Sequence, residues 1–131
     1  MKATIILLIA LATSAHADTI RLLPSKGEFV PSPACSNEAL RARVWRFLGT
    51  HPEITLRGGR MWMLFDGETY DAREVVRDGK RWIGFWRGLG DAYRVVVSVD
   101  PSKPEPVVYF GIIEDKPHRC GEKWLGVGER I

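Results

Sequence analysis

Few side chains in this sequence are equipped for chemistry, and their spacing favours none of the common mechanisms. Beyond Ala17 the histidines are His51 and His118. A hydrolytic triad needs a histidine beside an activated serine. Ser25, Ser32, Ser36, Ser98 and Ser102 all lie outside any G-x-S-x-G context. A metal site on His118-x-Cys120 would supply two ligands where structural zinc takes four, so no metal and no cofactor is expected. Carboxylates occur in close pairs, Asp66 with Glu68 and Asp71 with Glu74. A glycosidase-like site requires two carboxyl groups held a set distance apart across a cleft, whereas charges around a turn or on a polar strand are ordinarily solvated. Gly58-Gly59 and Gly88-Leu89-Gly90 lack the following helix and Lys-Ser/Thr of a phosphate-binding loop. Enzymatic activity is therefore not the favoured reading.

Cysteine use points to a compartment. Lys2, the apolar run Ile5 to Ala12 and the small-x-small sequence Ala15-His16-Ala17 read as a secretory signal peptide over residues 1–17, cut before Asp18. The apolar run is far shorter than the roughly 20 residues that cross a bilayer. The expected product is one exported domain, residues 18–131, periplasmic or secreted and not inserted in the membrane once the signal is removed. In an oxidising compartment the two cysteines, Cys35 and Cys120, are expected to form a disulfide. Loss of Lys2 takes the formal net charge from +3 to +2. That is too small and too interspersed for a nucleic-acid partner. Arg41, Arg43 and Arg46 read as the solvated side of a helix.

Tryptophan is the unusual feature, with five in the chain. Trp62 and at least one of Trp82 and Trp86 are expected in the core. Trp124 is weighed between core and surface, as is Trp86. The candidate binding surface lies on the stretch Lys80 to Asp91. There Arg81, Trp86, Arg87 and Asp91 surround a Gly88-Leu89-Gly90-Asp91 turn. A tryptophan beside an arginine offers an apolar anchor and a bidentate contact to a carboxylate.

The elements that must position these residues follow from periodicity and turn signals. Asp18 to Leu23 reads as an edge strand, with a turn at Pro24-Ser25-Lys26-Gly27. A helix begins at Ser36 or Asn37 and stops at Gly49, with Leu40, Val44, Phe47 and Leu48 as its apolar stripe. The stripe is expected to meet Tyr93, Val95, Val97 and Tyr109. Glu53 to Arg57 reads as a short strand ending at Gly58-Gly59. Arg60 to Phe65 is apolar on both faces and reads as an inner strand covered on both sides. Asp66-Gly67 and Asp78-Gly79 are hairpin signals. The polar strand between them, Glu68 to Arg77, belongs at an edge. Lys80 to Arg87, Tyr93 to Val99, Val107 to Ile113 and Arg119 to Val127 complete the series. Gly84 and Gly111, in mid-strand, favour a curled sheet.

The fold class is α+β: one N-terminal helix packed on a curled, barrel-like antiparallel meander of about six strands. Two functions fit. One is a non-enzymatic envelope binding protein, such as an inhibitor or immunity protein acting on a hydrolase, with another protein as partner. The other is a small periplasmic enzyme or ligand carrier with a small-molecule pocket between helix and sheet. A cavity of several hundred cubic ångströms, with one or two carboxylates pointing in, would favour the second.

Overall fold

The computed structural model describes residues 18–31, 38–88, 92–114 and 120–131. The expected signal peptide, the helix cap, Cys35, Asp91 and His118 lie outside them. Among the described residues there are one helix and nine strands. The strands are β1 (Asp18–Val30), β2 (Glu53–Arg57), β3 (Arg60–Phe65), β4 (Glu68–Asp71), β5 (Glu74–Asp78), β6 (Arg81–Gly88), β7 (Tyr93–Asp100), β8 (Val107–Glu114) and β9 (Gly121–Arg130). The helix, α1 (Glu38–Gly49), joins β1 to β2. The strands form one antiparallel sheet in the order β4-β3-β2-β1-β9-β8-β7-β6-β5, a curled half-barrel. The expected count of about six strands is thus too low, while the antiparallel, curled α+β arrangement holds.

Two differences raise the count: β1 and β2 belong to the same sheet as the meander, and one expected strand is divided. Residues 18–30 form one strand, because the segment from Pro24 to Gly27 is absorbed as an irregularity where the register to β9 shifts between Leu23 and Glu28. β1 is also internal, paired with both β2 and β9, and is not an edge. The second difference is that Glu68 to Arg77 splits at Ala72-Arg73 into β4 and β5. Those two strands are the ends of the sheet, so the expected edge character holds for both.

The split is what curls the sheet. The Ala72 N–H donates to the Met61 carbonyl on β3 at 2.9 Å, and the Arg73 N–H donates to the Phe85 carbonyl on β6 at 2.8 Å. Consecutive residues therefore bond to strands at opposite ends of the sheet and draw them together. The Trp86 indole N–H adds a bond from β6 to the Tyr70 carbonyl on β4, at 2.9 Å. At Asp66-Gly67 both φ angles are positive, 52° and 77°, as a two-residue type I′ hairpin requires. The β5–β6 turn falls one residue later than expected: Asp78 pairs with Arg81, leaving Gly79-Lys80 as its tip.

Alternation along each strand sends one set of side chains to the concave face. Ile20, Leu22, Ile54, Leu56, Met61 and Met63 come from β1 to β3, and Val97, Val99, Val108, Phe110 and Trp124 from β7 to β9; all are buried. α1 packs into this concavity. A helix of 12 residues is marginal alone, and its buried Leu40, Val44 and Leu48 supply about 1.5–3 kcal/mol each when withdrawn from water. Phe47 meets Phe65 edge-on, with ring centroids 4.9 Å apart, and Phe110 at 5.3 Å. The expected contact of the stripe with Tyr109 is corrected: Tyr109 pairs with Ser98 and Leu125 and belongs to the convex face. Trp62 and Leu64 are also on the convex face, half-buried and exposed, so β3 is covered on one side only. Outside the concavity, Trp45 is half exposed.

Candidate functional site

The concave space is not completely filled. Between α1 and the sheet lies a cavity of about 520 Å³. The helix contributes Leu40, Arg43, Val44 and Phe47, at i, i+3, i+4 and i+7, one face of an α-helix. The wall opposite is built from alternate strand positions: Met63 and Phe65 on β3, Tyr70 on β4, Val95 on β7, and Phe110 and Ile112 on β8. Trp86, Arg87 and Gly88 close the side formed by the end of β6.

The polar groups of the site are few and sorted by position. Arg43 borders the cavity and is exposed, which places it at the mouth. Tyr70 is 43% exposed, and its hydroxyl donates to Glu68 Oε2 at 2.9 Å. That bond, with a smaller contribution from desolvation and from the charges of Glu68 and Asp66, raises the phenol above its ordinary pKa. No carboxylate belongs to the described lining. The carboxylates that would have marked an enzyme-like pocket are not in the described lining, which carries Arg43 and Arg87.

A second cleft, about 330 Å³, lies beside the end of α1 and is bordered by His51, Glu53 and Asp66. His51 and Asp66 are the non-glycine residues of positive φ among the described residues. Both conformations have local causes. Asp66 leads the hairpin turn, and His51 follows the helix, its N–H bonded to the Leu48 carbonyl at 2.9 Å. His51 Nδ1 lies 3.2 Å from the Leu22 carbonyl, and Glu53 is paired with Arg21 at 3.6 Å. Among the described residues no cluster of histidine, cysteine and carboxylate side chains is placed to hold a metal ion.

Of the residues expected to form a surface around Lys80 to Asp91, those described lie apart. Trp86 is 7% exposed and faces the concavity, its ring over Gly84, so it presents no convex anchor. Arg87 is half-buried beside the cavity, paired in register with Arg94. Arg81 stands at the opposite end of β6 and bonds Asp78 at 2.8 Å. Asp71, one of the carboxylates considered for catalysis, is exposed and held by Arg60 at 3.2 Å. Trp124 is fully buried. Trp82 is half-buried, with the Arg77 guanidinium 4.0 Å from its ring centroid. Cys120 precedes β9 and is not a free cysteine.

Sequence reasoning puts Arg43 on a solvated helix face, where it is indeed exposed, but does not find that it also borders the cavity. The signal available was its place three residues after Leu40 and one before Val44, on the flank of the apolar stripe. The chain matches no protein-family model, and comparison with curated proteins and with solved structures likewise gives no match.

Proposed function

We propose that this chain is an exported ligand carrier that holds a small apolar molecule between its helix and its curled sheet. The observation that carries the reading is the cavity of about 520 Å³ walled by Val44, Phe47, Phe65, Trp86, Phe110 and Ile112. Ligand sites are typically apolar concavities of about 300–1,000 Å³ with a few placed polar groups. Cleavage before Asp18 and a Cys35–Cys120 bridge belong to the same proposal, and such a bridge would tie the segment leading into α1 to the start of β9.

A neutral apolar dye, N-phenyl-1-naphthylamine, tests the reading without involving charge. The expected result is one dye per chain with enhanced fluorescence, lost when Val95→Phe and Val44→Phe narrow the cavity in a chain that still melts cooperatively. Absence of binding, or binding unchanged in the filled variant, would remove the carrier reading. The competing reading, a protein that blocks a hydrolase, draws on the apolar side chains exposed on the convex face, Phe85, Ile113 and Leu125. These positions are where a protein partner would gain contact area.

A further inference from the structure

We infer that the ligand is a single-chain amphiphile with an anionic headgroup, its chain lying between Phe47 and Trp86 and its head at Arg43. This rests on the carrier reading and adds the class of ligand to it. Size is the first argument. A water in the liquid occupies about 30 Å³. A methylene is of similar size, so the cavity has room for a chain of about fifteen such groups. The second argument is the sorting of polarity. The walls are aliphatic and aromatic, Arg43, Tyr70 and Arg87 are the polar side chains of the lining, and no carboxylate is among its described residues.

The third argument is the state of Arg43. Arg21, Arg41, Arg60 and Arg81 each hold a carboxylate within 4 Å: Glu53 and Glu129, Glu122, Asp71 and Asp78 respectively. The ion pairs among the described residues do not include Arg43. Glu68, which reaches the mouth through Tyr70, accepts the hydrogen bond of the phenol hydroxyl at 2.9 Å. The turn of α1 that places Val44 and Phe47 on the cavity therefore also places an uncompensated guanidinium at its edge. A guanidinium offers several donors in a fixed fork and suits a carboxylate or phosphate. A neutral ligand would leave that contact unused, and a cationic one would be repelled.

Displacement of the neutral dye from the mature chain separates the two levels of the argument. Palmitate, hexadecyl phosphate, hexadecanol and hexadecylamine are compared below their micelle-forming concentrations. Palmitate or hexadecyl phosphate should displace the dye at least about tenfold more effectively than hexadecanol, the scale of one hydrogen bond to a charged group, with the amine weakest. Arg43→Gln should bring acid and alcohol to within about twofold while dye affinity stays unchanged. Arg57→Gln, on an exposed arginine at the end of β2, should leave the difference intact. Equal displacement by acid and alcohol in the unmodified chain would overturn the anionic class and leave the carrier standing, and a preference that survives Arg43→Gln would overturn the placement of the head at Arg43. Failure of the dye itself to bind would remove both.

Discussion

Trp124 and Trp86 occupy comparable places on the concave face and end in opposite situations. Each ring covers a glycine two positions away on its own strand. A Cβ on Gly126 would come within 2.5 Å of the Trp124 ring, and one on Gly84 within 2.7 Å of the Trp86 ring. Around Trp124 the space is closed. Gly27 on β1 contributes a second backbone surface, the residue has no exposure, and its indole N–H has no hydrogen-bond partner among the described residues. Around Trp86 one side faces the cavity, and the indole N–H is used on the Tyr70 carbonyl. The interior is thus closed over Trp124 where β1 meets β9 and left open where α1 faces β6, β7 and β8. Apolar volume left unfilled by side chains forgoes the dispersion contacts a filler would make.

Truncation gives the largest test of that contrast. Trp124→Ala should lower unfolding free energy by about 3–5 kcal/mol, the range for removing a large ring from a closed site. Trp86→Ala should lose roughly 2–3 kcal/mol, because part of its ring already lacks neighbours. Denaturant unfolding of the two variants decides the order, and a larger loss at Trp86 would mean that the hollow half is the stabilising one.

Enlargement gives the next test, with opposite signs in the two halves. Gly126→Ala pushes a methyl against the Trp124 ring and toward the Gly27 backbone, 2.9 Å away, and should cost about 1–3 kcal/mol. Val95→Phe fills existing space and should stabilise by about 0.5–2 kcal/mol. Melting temperatures moving in opposite directions would sharpen the comparison; equal destabilisation would show that the cavity cannot accept the added ring.

The smallest expected effect comes from outside both halves. Asp100 accepts hydrogen bonds from the Ser102 hydroxyl and backbone N–H, which hold its pKa below 3.8. A lowered carboxylate contributes stability that is complete above its unfolded pKa and fades as pH falls through the folded value. The melting-temperature difference between the unmodified chain and Asp100→Asn should therefore be present at neutral pH and shrink in acid. It should be slight throughout, since the group is exposed.

Part of this architecture is legible in the residues themselves. Asp66-Gly67 specifies its hairpin, the apolar spacing of α1 specifies its buried side, and the polarity of Glu68 to Arg77 marks the sheet ends. The corner at Ala72-Arg73 is not legible, because neither residue is a turn former and the bend is imposed by bonds to two distant strands. β1 is hidden for the converse reason: Pro24 to Gly27 has turn composition, yet the pairing with β9 resumes beyond it. At the site, adjacency misled. Trp86 is buried against the cavity, so Trp86 and Arg87 cannot anchor one convex partner together. The apolar character of the cavity walls can be read residue by residue. Their failure to fill the space depends on summed volumes and curvature, which no local pattern encodes.

The central position of β9 has a consequence for the order in which the chain folds. β1 to β4 pair in sequence order, and so do β5 to β8, with connections between neighbouring strands that keep each series local once α1 is formed. β9 is flanked by β8 and β1, and its pairing of Ile20 with Arg130 spans nearly the whole chain. Before β9 docks, the Ala72-Arg73 corner and the Trp86–Tyr70 hydrogen bond tie the two series together among the described residues. Contacts so distant in sequence form slowly, because the chain entropy of closing the loop is lost before any contact compensates it. Completion of the sheet therefore waits for β9 to insert between β8 and β1.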